Sequence, residues 1–402
     1  MLNRSARSGA SSGLLWLLGS ACALIVANLY YVQPLTGLVS AALGMPRGSS
    51  GLLVTLPLIG YGVGLLFVVP LGDLIENRRL VLVLLGLETL CLLLIGRIDQ
   101  PVPFLAVAFL VGATAVAVQV LVPYVTYLVP LAIRGRTVGK VMSGLMLGIM
   151  LARPLSSLMA DLFSWRAIFN LSAALMAALF VTLRLALPPR QPARHSSYTE
   201  LLRSMGRIYL TTPVLRRRAL YHACMFGAFS VFWTAAPLWL SGPQFQLTQR
   251  GIACVALAGV AGAIAPPIAG RIADSGLSRP GTALAMLLAV AAFLLSDLAQ
   301  SGSALALGLV TACAIALDFA VSANLVFGQR AIFALAPQQR SRLNALYMAT
   351  FFLGGAIGSA LGGWFYARLG WPGVSAVGIA LPALGLLYFS TDPAPRAVAA
   401  GS

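Results

Sequence analysis

The sequence has few of the residues from which active sites and metal centres are built. It contains two histidines, His195 and His222, and ten acidic residues among 402. Acid–base catalysis and metal binding gather His, Asp, Glu and Cys side chains in one site, and the sequence shows no such grouping. It therefore predicts a protein without a metal site or a cofactor, and it argues against an integral membrane enzyme.

Cysteine is equally sparse. The five residues lie singly in apolar segments, without the paired spacing that a zinc site or a disulfide framework would need. We interpret them as small core residues; they are Cys22, Cys91, Cys224, Cys254 and Cys313.

Charge is scarce and apolar residues are abundant. Only 9% of the residues are charged, 59% are hydrophobic, and the mean hydropathy is +0.91. A spanning helix needs roughly 20 apolar residues to cross about 30 Å of hydrocarbon. The hydropathy pattern predicts an all-α membrane protein with twelve transmembrane helices, at 13–38, 51–71, 79–97, 102–130, 138–162, 167–187, 219–241, 248–270, 280–298, 303–328, 343–366 and 372–390.

One polar stretch interrupts this series. It covers residues 188–218, begins with Pro188-Pro189 and ends with the basic run 216–218. We predict a six-helix half at 1–187, a cytoplasmic linker at 188–218 and a second six-helix half at 219–402.

The formal net charge of +17 does not indicate a nucleic-acid partner, because the basic residues form no single face and do not alternate with aromatic residues. Most of the 27 Lys and Arg residues fall on the side of the predicted membrane that carries both termini and the linker. The positive-inside rule therefore predicts cytoplasmic termini.

The two halves carry matching features at nearly constant spacing. Gly72 and Glu76 recur as Gly270 and Asp274, and the row Gly148, Ala152, Ser156 recurs as Gly354, Gly358, Gly362. Two six-helix halves related as parallel repeats are predicted. Small residues let helix backbones approach closely in lipid, so the rows are either packing seams or surfaces on which the halves rock against each other.

The segment Pro70-Leu71-Gly72-Asp73-Leu74-Ile75-Glu76-Asn77-Arg78-Arg79, its counterpart at 270–274, and Trp165-Arg166 before the sixth span carry a family resemblance. Together they resemble the major facilitator superfamily, and specifically its bacterial drug/proton antiporter-like efflux members. The resemblance covers essentially the whole chain. It implies a monomeric secondary transporter in the bacterial inner membrane that binds a small-molecule substrate and protons.

The resemblance also implies a conformational latch at the cytoplasmic loops, in which an acid pairs with an arginine and a helix N-terminus. The residues that would inherit this role are Gly72, Glu76, Arg78, Arg136, Gly270 and Asp274. Two departures bear on function. Glu76 stands where the family has Asp, and Arg153 separates Ala152 from Pro154 in the antiporter signature, which puts antiport in question.

Three charged residues fall inside predicted spans, where an ionisable group is costly and indicates function. Asp318, Arg153 and Glu88 are therefore the candidates for proton coupling. The surrounding apolar residues offset the cost of Glu88, so we expect it to be hydrogen-bonded locally. Asp318 is the preferred carboxylate, and a structural aspartate hydrogen-bonded to a neighbouring helix is the alternative.

Polar and aromatic residues in four spans are candidates for lining the substrate cavity. Asp318, Ser322 and Gln329 share one face at about 100° per residue. Such stripes line an aqueous path or join helices as polar contacts. The candidate residues are Asn28, Tyr31, Gln119, Tyr124, Thr126, Trp233, Ser322 and Gln329.

The paired halves favour a carrier over an enzyme or a membrane scaffold, neither of which needs matched latch loops. By resemblance alone, the sequence favours proton-coupled efflux of a small organic solute. Proton-coupled uptake of a metabolite, such as a vitamin or an aromatic acid, is the alternative.

Overall fold

The computed structural model describes residues 12–129, 134–192, 197–299, 302–335 and 339–392. Regular secondary structure in these ranges is helical throughout. The α-helices are α1 Ser12–Ala27, α2 Thr36–Ala42, α3 Leu52–Phe67, α4 Asn77–Ile95, α5 Pro101–Ala115, α6 Ala117–Leu128, α7 Arg134–Leu162, α8 Trp165–Ala186, α9 Tyr198–Thr211, α10 Pro213–Leu240, α11 Gln249–Gly259, α12 Ala265–Asp274, α13 Ser278–Asp297, α14 Ala304–Phe333 and α15 Arg340–Ser390.

Within these ranges, nine helical segments are long and apolar enough to cross a bilayer. Two departures from the predicted spans have local causes. The first predicted span is interrupted after Ala27, and a 3-10 turn that contains Pro34 precedes α2. Helix α4 carries three charged residues, Arg78, Arg79 and Glu88, within its 19 residues. The two predicted spans that fall within α15 are separated by a break at Gly370, whose φ of 64° favours glycine.

Small residues bring helix backbones into direct contact at the predicted rows. A β-carbon built on Gly148 of α7 would lie 2.2 Å from the backbone oxygen of Ala23 in α1. A β-carbon on Gly358 of α15 would lie 2.1 Å from the backbone oxygen of Gly227 in α10. The rows are therefore packing seams within each predicted half. These contacts join helices of the same predicted half, so they fit the packing interpretation of the rows.

Contacts between the predicted halves use other helix pairs. Helix α7 packs against α11, and α3 packs against α15. At one end of the α3–α15 contact, the hydroxyls of Thr55 and Ser359 are 2.8 Å apart, and a β-carbon on Gly51 would lie 2.4 Å from the backbone oxygen of Ser359. The predicted halves thus touch tightly at this end.

Helix α9 occupies the predicted linker and touches both sides of the molecule at the opposite end. A capping box between Ser197 and Glu200 starts the helix, and these hydrogen bonds lower the pKa of Glu200. Tyr198 donates to the backbone oxygen of Phe67 at the end of α3. Arg342 at the start of α15 donates to Ser204. The linker helix thereby joins the ends of α3 and α15.

We expect Gly148→Ala to destabilise the protein and Gly308→Ala to leave its stability unchanged or slightly higher. Both glycines lie in long helices, but a β-carbon on Gly308 would have no neighbour within 4 Å. Overpacking costs about 1–3 kcal/mol, so thermal unfolding in detergent should show a lower midpoint for Gly148→Ala alone. Equal midpoints for the two variants would contradict the seam.

Candidate functional site

Two of the three predicted intramembrane charges meet between the predicted halves. Arg153 lies near the middle of α7 and Asp318 near the middle of α14. Their side chains are 3% and 4% exposed, and Arg153 Nη2 lies 3.5 Å from Asp318 Oδ2. Because an unpaired charge at this depth is costly, each side chain compensates the other. The pair links a helix of the first predicted half with a helix of the second.

Aromatic residues of α10 complete the surroundings of the pair. Trp233 Nε1 donates to Asp318 Oδ1 at 2.8 Å. The Arg153 guanidinium carbon lies 4.0 Å from the Trp233 ring centroid and 5.1 Å from that of Phe229. A cation over an aromatic face is favourable, and more so away from water. Trp233 is 2% exposed, so it is not an interfacial anchor; it contacts both partners of the ion pair.

Two glycines on the facing segment allow this close approach. Gly259 ends α11, and Gly262 lies in the 3-10 turn between α11 and α12. A β-carbon on Gly262 would lie 2.8 Å from Asp318 Cβ, and one on Gly259 would lie 3.0 Å from Asp318 Oδ2. Larger residues at either position would displace the carboxylate.

The site has more donors than the ion pair uses. Arg153 Nε and Nη1 are buried and have no hydrogen-bond partner within the described ranges. Gln33, Ser157 and Thr234 also carry buried side-chain atoms without a partner there. They belong to the interruption after α1, to α7 and to α10, and the interruption contacts both of these helices. Unsatisfied buried polar atoms are expensive, which is the expected signature of a place that takes up water or a solute.

Glu88 lies in a separate network inside the first predicted half. Asn28 Nδ2 donates to Glu88 Oε1 at 2.8 Å, and Ser172 Oγ donates to Asn28 Oδ1. The side chain of Tyr31 is hydrogen-bonded to the same serine, Ser172. These residues come from the first predicted span, α4 and α8, so Glu88 is hydrogen-bonded locally, and Asn28 and Tyr31 adjoin it.

Other predicted cavity residues lie at the linker end. A cavity of about 420 Å³ opens between α6 and the start of α15, lined by Gln119, Tyr127, Arg340 and Asn344 among others. Gln119 donates to the Tyr61 hydroxyl at 3.0 Å.

The remaining candidates occupy different positions. Gln329 donates to Asn344 at 3.2 Å, so it adjoins the lining of that cavity. Tyr124 donates to the backbone oxygen of Pro188, at the start of the linker. Ser322 is half-buried one turn after Asp318. The side chain of Thr126 lies outside the described part of the chain.

The predicted latch residues divide between two loops. Asp274 pairs with Arg330 at the surface, while Gly270 has open space around it. In the first half, Glu76 precedes α4 without an ion pair within the described residues, and Arg78 donates to the backbone oxygen of Arg184. The side chain of Arg136 lies outside the described part.

Sequence reasoning missed residues that the structure brings to these sites. Asn77 Nδ2 donates to the Gly72 oxygen at 2.6 Å and Asn77 accepts from Arg190, so an amide holds this loop. Phe229 and Gly259 at the ion pair carried no signal in the sequence, because an aromatic or a glycine in an apolar span is ordinary. Gly262 did carry a signal, since it follows Gly64 by 198 residues, the same spacing that separates Gly270 from Gly72 in the repeat.

Comparison with known proteins agrees with this architecture. The family model "Major Facilitator Superfamily" matches residues 15–332. The uncharacterized transporter YgaY of Escherichia coli is 34% identical over 94% of this chain and 95% of its own length. The Streptomyces coelicolor protein described as "Probable transporter SCO4007" is 32% identical over 96% of this chain and 89% of its own.

Solved structures show the same fold at low sequence identity. An inward-facing, occupied bacterial homologue of the human lysosomal transporter Spinster superposes with a TM-score of 0.72 at 12% identity, covering 94% of this chain and 95% of that one. The nucleoside transporter NupG, as a D323A mutant, also gives 0.72, at 14% identity and with 94% and 98% covered. On the family match and the close relatives, this chain belongs to the major facilitator superfamily and is a transporter rather than an enzyme.

Proposed function

We propose that the protein is a proton-coupled secondary transporter that exports a small organic solute by alternating access. Its twelve membrane spans form two six-helix halves, and both termini and the linker face the cytoplasm. The observation that carries the proposal is the buried pair of Arg153 and Asp318 between the halves. A transporter of this kind needs a titratable group that is linked to the contact between its moving parts.

Asp318 is the proton carrier in this proposal. When it is ionised, it holds Arg153 and so joins α14 to α7. Protonation removes the attraction, and Trp233 still donates to a carbonyl oxygen of the neutral acid. The halves are then free to separate at this contact. Glu88 serves no such role, because its network stays within one half.

Arg153 also supplies the solute contact. Its unpaired Nε and Nη1 atoms provide donors, and the faces of Trp233 and Phe229 lie beside the guanidinium. Donors beside aromatic faces suit a solute with a flat apolar part and an acidic or strongly accepting group. The cavity that Gln119 lines opens at the linker end, where a solute would enter from the cytoplasm. Export by proton exchange follows from the resemblance to drug/proton antiporters.

We expect Asp318→Asn to abolish transport driven by a pH gradient while solute–solute exchange persists, because asparagine keeps the shape and removes the titration. Glu88→Gln is the matched control, since it also neutralises one buried carboxylate. Proteoliposomes loaded with a solute found in a growth-inhibition panel provide the assay. Full pH-driven transport by Asp318→Asn, or its loss in Glu88→Gln alone, would refute the assignment.

A second prediction separates stability from coupling. Arg153→Met leaves the Asp318 carboxylate buried without a cation, which costs about 3–5 kcal/mol. The double variant Arg153→Met/Asp318→Asn removes both charges and should recover most of that loss in thermal unfolding. Neither variant should couple transport to a proton gradient. A double variant that transports normally would show that the pair is structural only.

The latch prediction concerns rate rather than affinity. Asp274→Asn should slow turnover by up to about fivefold, because its surface pair with Arg330 contributes about 0–1 kcal/mol. Glu76→Gln should also slow turnover, because it removes a negative charge at the N-terminus of α4. Solute affinity should stay within twofold in both variants. Asp99→Asn is the control, because Asp99 also forms an exposed pair, with Arg166. A large loss of affinity with normal turnover would contradict the latch role.

A further inference from the structure

A cleft with three arginines lies at the linker end of α4 and α8, on the outside of the molecule. It has a volume of about 660 Å³. Arg78 and Arg79 lie in the first turn of α4, and Arg184 lies in the last turn of α8. Glu76 is the one acidic residue among those that line the cleft, so the cleft has an excess of positive charge.

The arginines of the cleft have donors to spare. Arg78 uses one nitrogen for the backbone oxygen of Arg184. Within the described ranges, Arg79 and Arg184 form no ion pair with a carboxylate, and both are exposed. Guanidinium groups recognise phosphate through paired N–H donors. The cleft is therefore suited to a phosphate group.

An apolar surface continues from the arginines along α4. Leu82, Val83, Leu87 and Phe180 also line the cleft. Val83 and Leu87 are about half exposed, and the same helical face continues with exposed Leu90 and Leu94. The stretch from 82 to 94 rises by about 18 Å along the helix axis, comparable to one leaflet of the hydrocarbon core of roughly 30 Å.

We propose that this cleft binds an anionic phospholipid, with the phosphate at Arg79 and Arg184 and an acyl chain along Val83 and Leu87. The arginines lie at the level of the headgroups and the apolar wall at the level of the chains. A soluble phosphate compound would leave that wall uncovered. Basic pockets between membrane helices on the cytoplasmic side are suited to anionic headgroups.

The site has a consequence for the neighbouring loop. Pro189 lines the cleft, and the next residue, Arg190, is hydrogen-bonded to Asn77 at the start of α4. A bound phosphate would offset the repulsion among the three arginines beside these contacts. The lipid therefore stabilises the junction of α4 with the linker.

Thermal unfolding of the purified full-length protein in detergent tests the proposal. Phosphatidylglycerol should raise the unfolding midpoint, whereas phosphatidylcholine with the same chains should not. Glycerol phosphate should also have no effect, because it lacks the chains. Equal shifts with the two phospholipids, or a full shift with glycerol phosphate, would overturn the proposal.

Variants locate the effect. Arg79→Gln/Arg184→Gln should raise the phosphatidylglycerol concentration that gives the half-maximal shift by about thirtyfold. The reason is that each of the two arginines removed contributes to the attraction of the anionic headgroup. Arg97→Gln/Arg368→Gln, at the other end of the membrane spans, is the matched control and should behave as the wild type.

Gly86→Leu tests the apolar part while all three arginines remain. A β-carbon on Gly86 would make ordinary contact with Phe180 at 3.8 Å, so it is tolerated there, and the leucine side chain would occupy part of the cleft that Gly86 lines. It should weaken the response to phosphatidylglycerol, with native mass spectrometry showing fewer bound lipids. Unchanged binding in both cleft variants would place the lipid elsewhere and refute the site.

Discussion

Close contact between helix backbones is the constraint on which the rest of this structure depends. Lipid offers no hydrophobic drive for helices to associate, so packing must come from surfaces that fit closely. Gly148 against Ala23 and Gly358 against Gly227 show how near the backbones approach. The same device acts at the candidate site, where Gly262 leaves room for Asp318. A larger residue at Gly262 would press on Asp318 and displace its carboxylate.

The repeat makes the charged pair conspicuous, because its counterpart positions carry no charge. Gly64 of α3 faces Val116, whereas the matching Gly262 faces Asp318. Arg153 of α7 corresponds in the repeat to Ser359 of α15, which meets the hydroxyl of Thr55 on α3. One contact between the halves is thus made by neutral groups and the other by a cation and an anion. The first contact is made without charges, so the charges are particular to the contact between α7 and α14.

The sequence predicted the membrane class and the helix positions well, because hydropathy over about 20 residues integrates many weak signals. It also singled out Arg153 and Asp318, since ionisable residues in apolar spans are rare. It did not predict the break after Ala27, because the apolar run continues through it. Nor could the sequence predict which neighbouring helices the Asn28 side chain faces. That choice depends on Glu88 and Ser172, which are distant in sequence and adjacent in space.

The position of the pair argues for a role in motion rather than in adhesion. Two unit charges about 4 Å apart attract by roughly 4 kcal/mol at an effective dielectric constant of about 20. If both side chains stayed charged, the separation of α7 from α14 in the proposed transport cycle would therefore be slower by about a thousandfold, since 1.4 kcal/mol is a factor of ten. The polar network at Asn28, by contrast, lies wholly within the first predicted half. In the proposed transporter, a proton on Asp318 would remove this attraction, and the arginine left behind is the group that an acidic solute would satisfy.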